Sequence, residues 1–267
     1  MCFVKWRMEW SVKKKYNARK FSFYTPQQIA EDKSRAKTYA YAFVVDENAP
    51  TFMIAPGGGY AVVCMNYEGT DFAEELNKRG YNAFVLRYRV SPDASAPNPQ
   101  SDMAAMISYV FAHKEQFGLA NENYAVMGFS AGGHLAASFA TANVGYAAYS
   151  LPAPKFAALA YAVITMGEQT HVGTMRNLTG GDPNLREQYS VENHVQNYPP
   201  TYLWYCEDDK VVVGYNSEVL YSALTSAGIP AKLTKFAKGG HGLGLGIGSQ
   251  AEGWLDEMLR FAQPYLG

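Results

Sequence analysis

Cysteine is scarce in this chain of 267 residues. Cys2, Cys64 and Cys206 are far apart and odd in number, so they outline neither a disulfide framework nor a metal-ligand spacing. That usage fits a reducing compartment. Net charge is lacking too: 23 basic against 24 acidic residues leave −1 at pH 7. A balance of this kind offers no electrostatic footprint for nucleic acid or an anionic membrane. The one basic run, Lys13-Lys14-Lys15 with Arg19 and Lys20, is interleaved with Tyr and Phe and reads as a solvated strand-and-turn face. No apolar run approaches the length of a membrane span. Residues Met1 to Arg7 lack an apolar h-region, so no signal peptide is visible. The expected location is cytoplasmic, or secreted or periplasmic if a leader has been removed. Internal repeats and low-complexity tracts are absent, and composition says nothing of oligomeric state.

A hydrophobic fraction of 48% with 18% charged residues suits a protein that buries a sizeable core. Aromatics reach 14%, with 20 Tyr. They read first as cover for half-buried strands, and second as lining for a carbohydrate or aryl site.

From about Thr51 onward, short apolar runs alternate with helical patterns, the rhythm of a mostly parallel α/β sheet. Thr51–Ala55, Asn82–Tyr88, Tyr124–Met127, Phe156–Ile164, Thr201–Cys206 and Ala231–Phe236 read as strands. Thr70 or Asp71 is expected to cap a helix through Phe72 and Leu76 that ends at Gly80. A Pro-rich loop, Ser91 to Pro99, leads into a helix with Met103, Met106, Ile107 and Val110 on one face. Trp254, Leu255, Met258, Leu259 and Phe261 mark a closing amphipathic helix. Phe21–Tyr24 and Tyr39–Val45 read as antiparallel strands flanking the parallel sheet. Residues 166–199 are polar, Gly-rich and Pro-ended, and their length suggests a small lid within one domain spanning 1–267.

Four stretches carry chemistry. Gly128-Phe129-Ser130-Ala131-Gly132 matches G-x-S-x-G, in which a nucleophile sits on a strained strand-to-helix turn that tolerates little bulk around it. Three fixed letters recur by chance in roughly one chain in ten of this length. Its placement between a buried strand and a helix of small residues is what singles out Ser130. Pro56-Gly57-Gly58-Gly59-Tyr60 follows a strand, where bare backbone N–H groups can approach a developing oxyanion. Gly58, Gly59 and Ala131, the residue after the nucleophile, are the candidate donors. No Lys-Ser/Thr follows the glycines, so a phosphate loop is a poor reading. Gly239-Gly240-His241-Gly242-Leu243-Gly244 puts a histidine among glycines after the last strand, free to reach a serine. His113, His134, His171 and His194 rank below it as bases: His134 reads as packed, and His171 as a possible substrate contact. The acid belongs after the penultimate strand, where Asp208 and Asp209 compete within Cys206-Glu-Asp-Asp-Lys-Val211.

Taken in order, Pro-Gly-Gly-Gly-Tyr, Gly-Phe-Ser-Ala-Gly-Gly-His-Leu, Asp-Asp-Lys-Val-Val and Gly-Gly-His-Gly-Leu-Gly resemble the α/β-hydrolase esterases related to acetyl xylan esterases and feruloyl-type carbohydrate esterases. The likeness covers roughly residues 50–265. It implies the α/β-hydrolase fold, a mostly parallel sheet with helices on both faces and a short lid insertion. In that family the acid lies eight residues before the Ser of a V-P-x-x-x-S stretch. Asp209 and Ser217 keep this spacing, with Val213 where the family has Pro, so the resemblance points to Asp209. Thr170-His171-Val172-Gly173 also looks like the family's short loop, and Tyr60 and His171 are the expected substrate contacts. The implied reaction is ester hydrolysis through an acyl-enzyme, with Ser130, His241 and Asp209 as triad and no metal or organic cofactor. The implied substrate is a small ester or an acylated oligosaccharide. A feruloyl esterase, an amidase or a peptidase-like hydrolase with the same triad, and a non-catalytic binding relative, stand as alternatives. About 50 residues before the first parallel strand are too few for the propeller that prolyl oligopeptidases carry.

Overall fold

The computed structural model describes residues 18–266. The run Lys13–Lys15, Cys2 and the segment Met1–Arg7 lie outside them. Its strands and helices alternate along the chain, beginning with β1 (Arg19–Phe21), α1 (Pro26–Glu31), β2 (Tyr39–Phe43) and β3 (Thr51–Ala55). Next come α2 (Asp71–Lys78), β4 (Asn82–Arg87), α3 (Asn98–Ala112), the single turn α4 (Lys114–Phe117), β5 (Tyr124–Phe129) and α5 (Ser130–Phe139). The remainder is β6 (Phe156–Ala160), α6 (Val172–Thr179), α7 (Pro183–Tyr189), β7 (Thr201–Cys206), α8 (Tyr215–Ser226), β8 (Ala231–Phe236) and α9 (Trp254–Leu266). The strands form one sheet in the order β1-β2-β4-β3-β5-β6-β7-β8. The first two pairings, β1 with β2 and β2 with β4, are antiparallel, and all others are parallel. This is the α/β-hydrolase fold.

The sheet is covered on both faces, as parallel strands require. Alternate residues of a strand feed opposite cores: Met53 and Ala55 pack on one side with α3, α5 and α8, whereas Phe52 and Ile54 pack on the other with α2 and α9. Every residue of β3, β5, β6 and β7 is buried. Their near-continuous apolar runs follow from that double burial.

Three expected elements differ. Thr70 is itself helical and makes no capping bond; a π-helical turn, Asn66–Thr70, runs straight into α2. Strand β6 ends at Ala160 instead of Ile164, because Tyr161 turns the chain with φ of 37°. The first flanking strand lies at Arg19–Phe21 and shares only Phe21 with the expected Phe21–Tyr24, and the second ends at Phe43 instead of Val45. Segment 166–199 holds α6, α7 and a 3₁₀ turn, and it is tied to the body by bonds such as Asn177 Nδ2–H to the Gly59 carbonyl (2.9 Å). Among the described residues no helix is long and apolar enough to cross a membrane.

Candidate active site

The C-terminal ends of β3, β5, β7 and β8 converge on one cleft of about 360 Å³, within the range of small-ligand sites. Ser130 follows β5 directly and starts α5 with φ of 52°, a left-handed conformation that costs a non-glycine residue on the order of 1–2 kcal/mol. Close packing enforces the turn. A Cβ at Gly132 would lie 2.2 Å from the Ala55 carbonyl oxygen, so only glycine lets α5 sit this near β3.

His241 Nε2 stands 2.8 Å from Ser130 Oγ, and its Nδ1 stands 2.6 Å from Asp209 Oδ2. The Asp209 side chain is inaccessible to solvent, and its other oxygen accepts the N–H groups of Val211 (2.8 Å) and Val212 (3.0 Å). A carboxylate held by two amides and one imidazole has a single orientation. Asp208 points elsewhere and accepts the Gly239 and Gly240 N–H groups at 2.9 and 2.8 Å, which fastens the histidine loop. The structure thus brings Asp209 to His241 and uses Asp208 to shape the loop that carries it.

Gly58 and Gly59 line the cleft beside Ser130, with φ of 132° and 66° that favour glycine. Ala131 lies in the first turn of α5, where backbone N–H groups have no partner within the helix. His171 lines the cleft and caps α6: its Nδ1 accepts the Thr174 N–H at 3.3 Å and contacts Thr174 Oγ1 at 2.8 Å. With Nδ1 accepting, the ring proton sits on Nε2. Burial, assisted by the neighbouring His241, lowers the His171 pKa.

Tyr60 is not brought to the cleft. With φ of 56° its side chain turns under the glycine loop, becomes wholly buried and meets His134 Nδ1 at 2.9 Å. The expected substrate contact is instead a strut. His134 is packed, as its helix position suggested, and His113 and His194 bond to the carbonyls of Tyr109 and Glu187. Among the described residues no cluster of His, Cys, Asp or Glu is placed to hold a metal ion.

The sequence profile of the BD-FAE family matches residues 46–149. Endo-1,4-beta-xylanase B of Butyrivibrio fibrisolvens is 33% identical over 229 residues, covering 81% of this chain and 36% of that protein. An acetylxylan esterase of Xylanibacter ruminicola is 34% identical over 199 residues, covering 72% of this chain and 40% of its own. The crystal structure of an acetyl ester-xyloside bifunctional hydrolase from Caldicellulosiruptor lactoaceticus superposes with a TM-score of 0.83 at 29% identity, covering 93% of this chain and 97% of that one. The chain belongs to the α/β-hydrolase esterases. It spans 36% and 40% of the length of these two curated relatives.

Two residues of this site carry no sequence motif. Glu68, on the turn before α2, is buried against the cleft, and Tyr161 stands edge-on to the His241 ring with centroids 4.9 Å apart. A single acid between Tyr67 and Gly69 gives no hint of burial. The short β6 does hint at Tyr161, since a tyrosine at the C-terminal end of a central strand faces the cleft.

Proposed function

We propose that this chain is a serine carboxylesterase that deacetylates acetylated xylan or a related sugar ester, working as one hydrolase domain through an acyl-enzyme on Ser130. The unbroken hydrogen-bond run from Asp209 through His241 to Ser130 Oγ carries this reading. The serine oxygen attacks the ester carbonyl carbon while its proton passes to His241 Nε2. The carbonyl electron pair moves to oxygen, and the N–H groups of Gly58, Gly59 and Ala131 receive that charge. Nε2–H then protonates the departing alkoxide, leaving acetyl-Ser130. Water repeats the attack and gives one proton to His241; Ser130 Oγ takes that proton back as it leaves and acetate is released, with Asp209 holding Nδ1–H throughout. His171 Nε2–H donates to an oxygen on the alcohol side. The scheme uses neither metal nor organic cofactor.

The names of the Xylanibacter and Caldicellulosiruptor relatives support acetylated xylan as the substrate class. Acetate release from acetylated xylo-oligosaccharides tests it, with Ser130→Ala as control. That variant should lose on the order of 10⁶ in kcat, since triad members act as a unit. Hydrolysis within tenfold of the parent would remove Ser130 from the mechanism. Cleavage of aryl acetates without acetate release from the oligosaccharide would end the xylan assignment.

A further inference from the structure

The cleft wall holds a carboxylate that the scheme above leaves unused. Glu68 is 2% exposed on its π-helical turn. Its Oε2 accepts the Gly57 N–H at 2.8 Å, and its Oε1 accepts the Tyr161 hydroxyl at 2.8 Å. The Tyr161 oxygen in turn accepts the Gly244 N–H at 3.1 Å. Backbone amides only donate, so both ends of this relay have a fixed polarity. The Tyr161 proton therefore points at Glu68, and each carboxyl oxygen faces a donor. A neutral acid would have to turn its proton onto the Tyr161 oxygen, leaving the Tyr161 hydroxyl without an acceptor among these partners. The arrangement suits the anion, and Tyr161 lays its ring edge-on to His241 at 69°.

We propose that Glu68 is a second anion of the site, a positioning residue that ties the oxyanion loop at Gly57 to the histidine loop at Gly244 and favours the imidazolium formed when Ser130 gives up its proton. This rests on the triad reading above. The links span three segments that must keep register during catalysis: the loop after β3, the turn after β6 and the loop after β8. Burial raises the Glu68 pKa above the ordinary carboxylate range, against the Tyr161 and Gly57 bonds and the nearby His241. Its charge is thus lost on the acid side, and the acid limb of activity reports that loss. Cys64, Tyr67, Tyr88 and Tyr161 face Glu68, and burial raises the pKa of each. Asp208, Asp209 and His171 lie on the His241 side.

The test compares Glu68→Gln and Glu68→Asp with the parent in pH profiles of kcat/KM on an aryl acetate, with competent sites counted by the acylation burst. Glu68→Gln removes the charge, so kcat should fall about ten- to a hundredfold with KM nearly unchanged. Its acid limb should move to lower pH by about half a unit or more. Glu68→Asp keeps the charge but shortens the reach, so kcat should fall while the limb stays with the parent. An unmoved limb in Glu68→Gln, or a limb in Glu68→Asp that moves with it, overturns the proposal. Should the amide variant fail to fold, Glu68→Asp decides alone: a parental limb with reduced kcat supports the proposal, and a displaced limb overturns it. Activity surviving in Ser130→Ala would instead sink the triad reading, whatever Glu68 does.

Discussion

Replacing Asp209 by Asn changes one atom's chemistry and leaves its volume in place, and the structure says which way the amide must face. Asp209 Oδ1 accepts two backbone N–H groups, from Val211 and Val212, and only a carbonyl oxygen can do the same. The new NH₂ is therefore forced into the Oδ2 position, 2.6 Å from His241 Nδ1. A donor there makes Nδ1 the acceptor and moves the ring proton to Nε2, which faces Ser130 Oγ at 2.8 Å. Nε2 then cannot take the serine proton. A wrong tautomer of this kind costs roughly 10⁴ in kcat, or about 5 kcal/mol of barrier. Asp208→Asn is the matched control: its carbonyl can still accept the Gly239 and Gly240 amides, and kcat should stay within about tenfold of the parent. Steady-state turnover of an aryl acetate, with thermal unfolding to verify the fold, measures both. A larger loss in Asp208→Asn, or a loss under tenfold in Asp209→Asn, would refute the tautomer argument.

Acyl length gives a further test: the cleft of about 360 Å³ must hold both ester ends, so aryl esters should be cleaved less well from acetate to butyrate to octanoate. Each methylene that does not fit costs ~1–3 kcal/mol, and a kcat/KM that rises with acyl length would indicate a lipase-like channel and end the small-pocket reading. Stability should depend on His134, which is wholly buried between the Tyr60 hydroxyl and the Tyr189 carbonyl, and whose pKa burial lowers to about 4. Its folded pKa lies below the unfolded ~6.5, so the unfolded chain binds more protons between these values. Stability should be full above about pH 6.5 and decline by about 3 kcal/mol as pH falls towards 4. Urea unfolding of the parent and His134→Gln across this window measures the effect; equal slopes in the two would refute it.

The parts of the site that could be read in advance are those where chemistry dictates residue type at a fixed backbone turn. Ser130 and His241 stood out because glycines flank them, and the glycines serve close approach and left-handed φ. Asp208 and Asp209 could not be separated by their own surroundings in sequence, since both are acids in one loop. Only the resemblance preferred Asp209, and what distinguishes the pair in space is which one meets buried amides. An aromatic beside an oxyanion loop invites a substrate role, whereas the positive φ of Tyr60 folds it beneath the loop. Glu68 carries no local signal because its partner Tyr161 is 93 positions away. The strand rhythm survived because buried parallel strands must be apolar. The end of β6 and the turn before α2 did not, because both depend on backbone angles that composition does not report.

Ser130 and His241 are 111 positions apart, and Trp254 at the start of α9 holds the histidine loop by donating its indole N–H to the Gly244 carbonyl at 2.9 Å. On the proposed mechanism, ester turnover is therefore a late event in the life of the chain. A nascent polypeptide that has already folded β3, β5 and their helices owns a serine on a strained turn, yet it lacks both the base and the tryptophan that steadies it. The nucleophile stays idle until the closing helix has been synthesised and docked. Turnover in a refolding experiment would then time the docking of that helix.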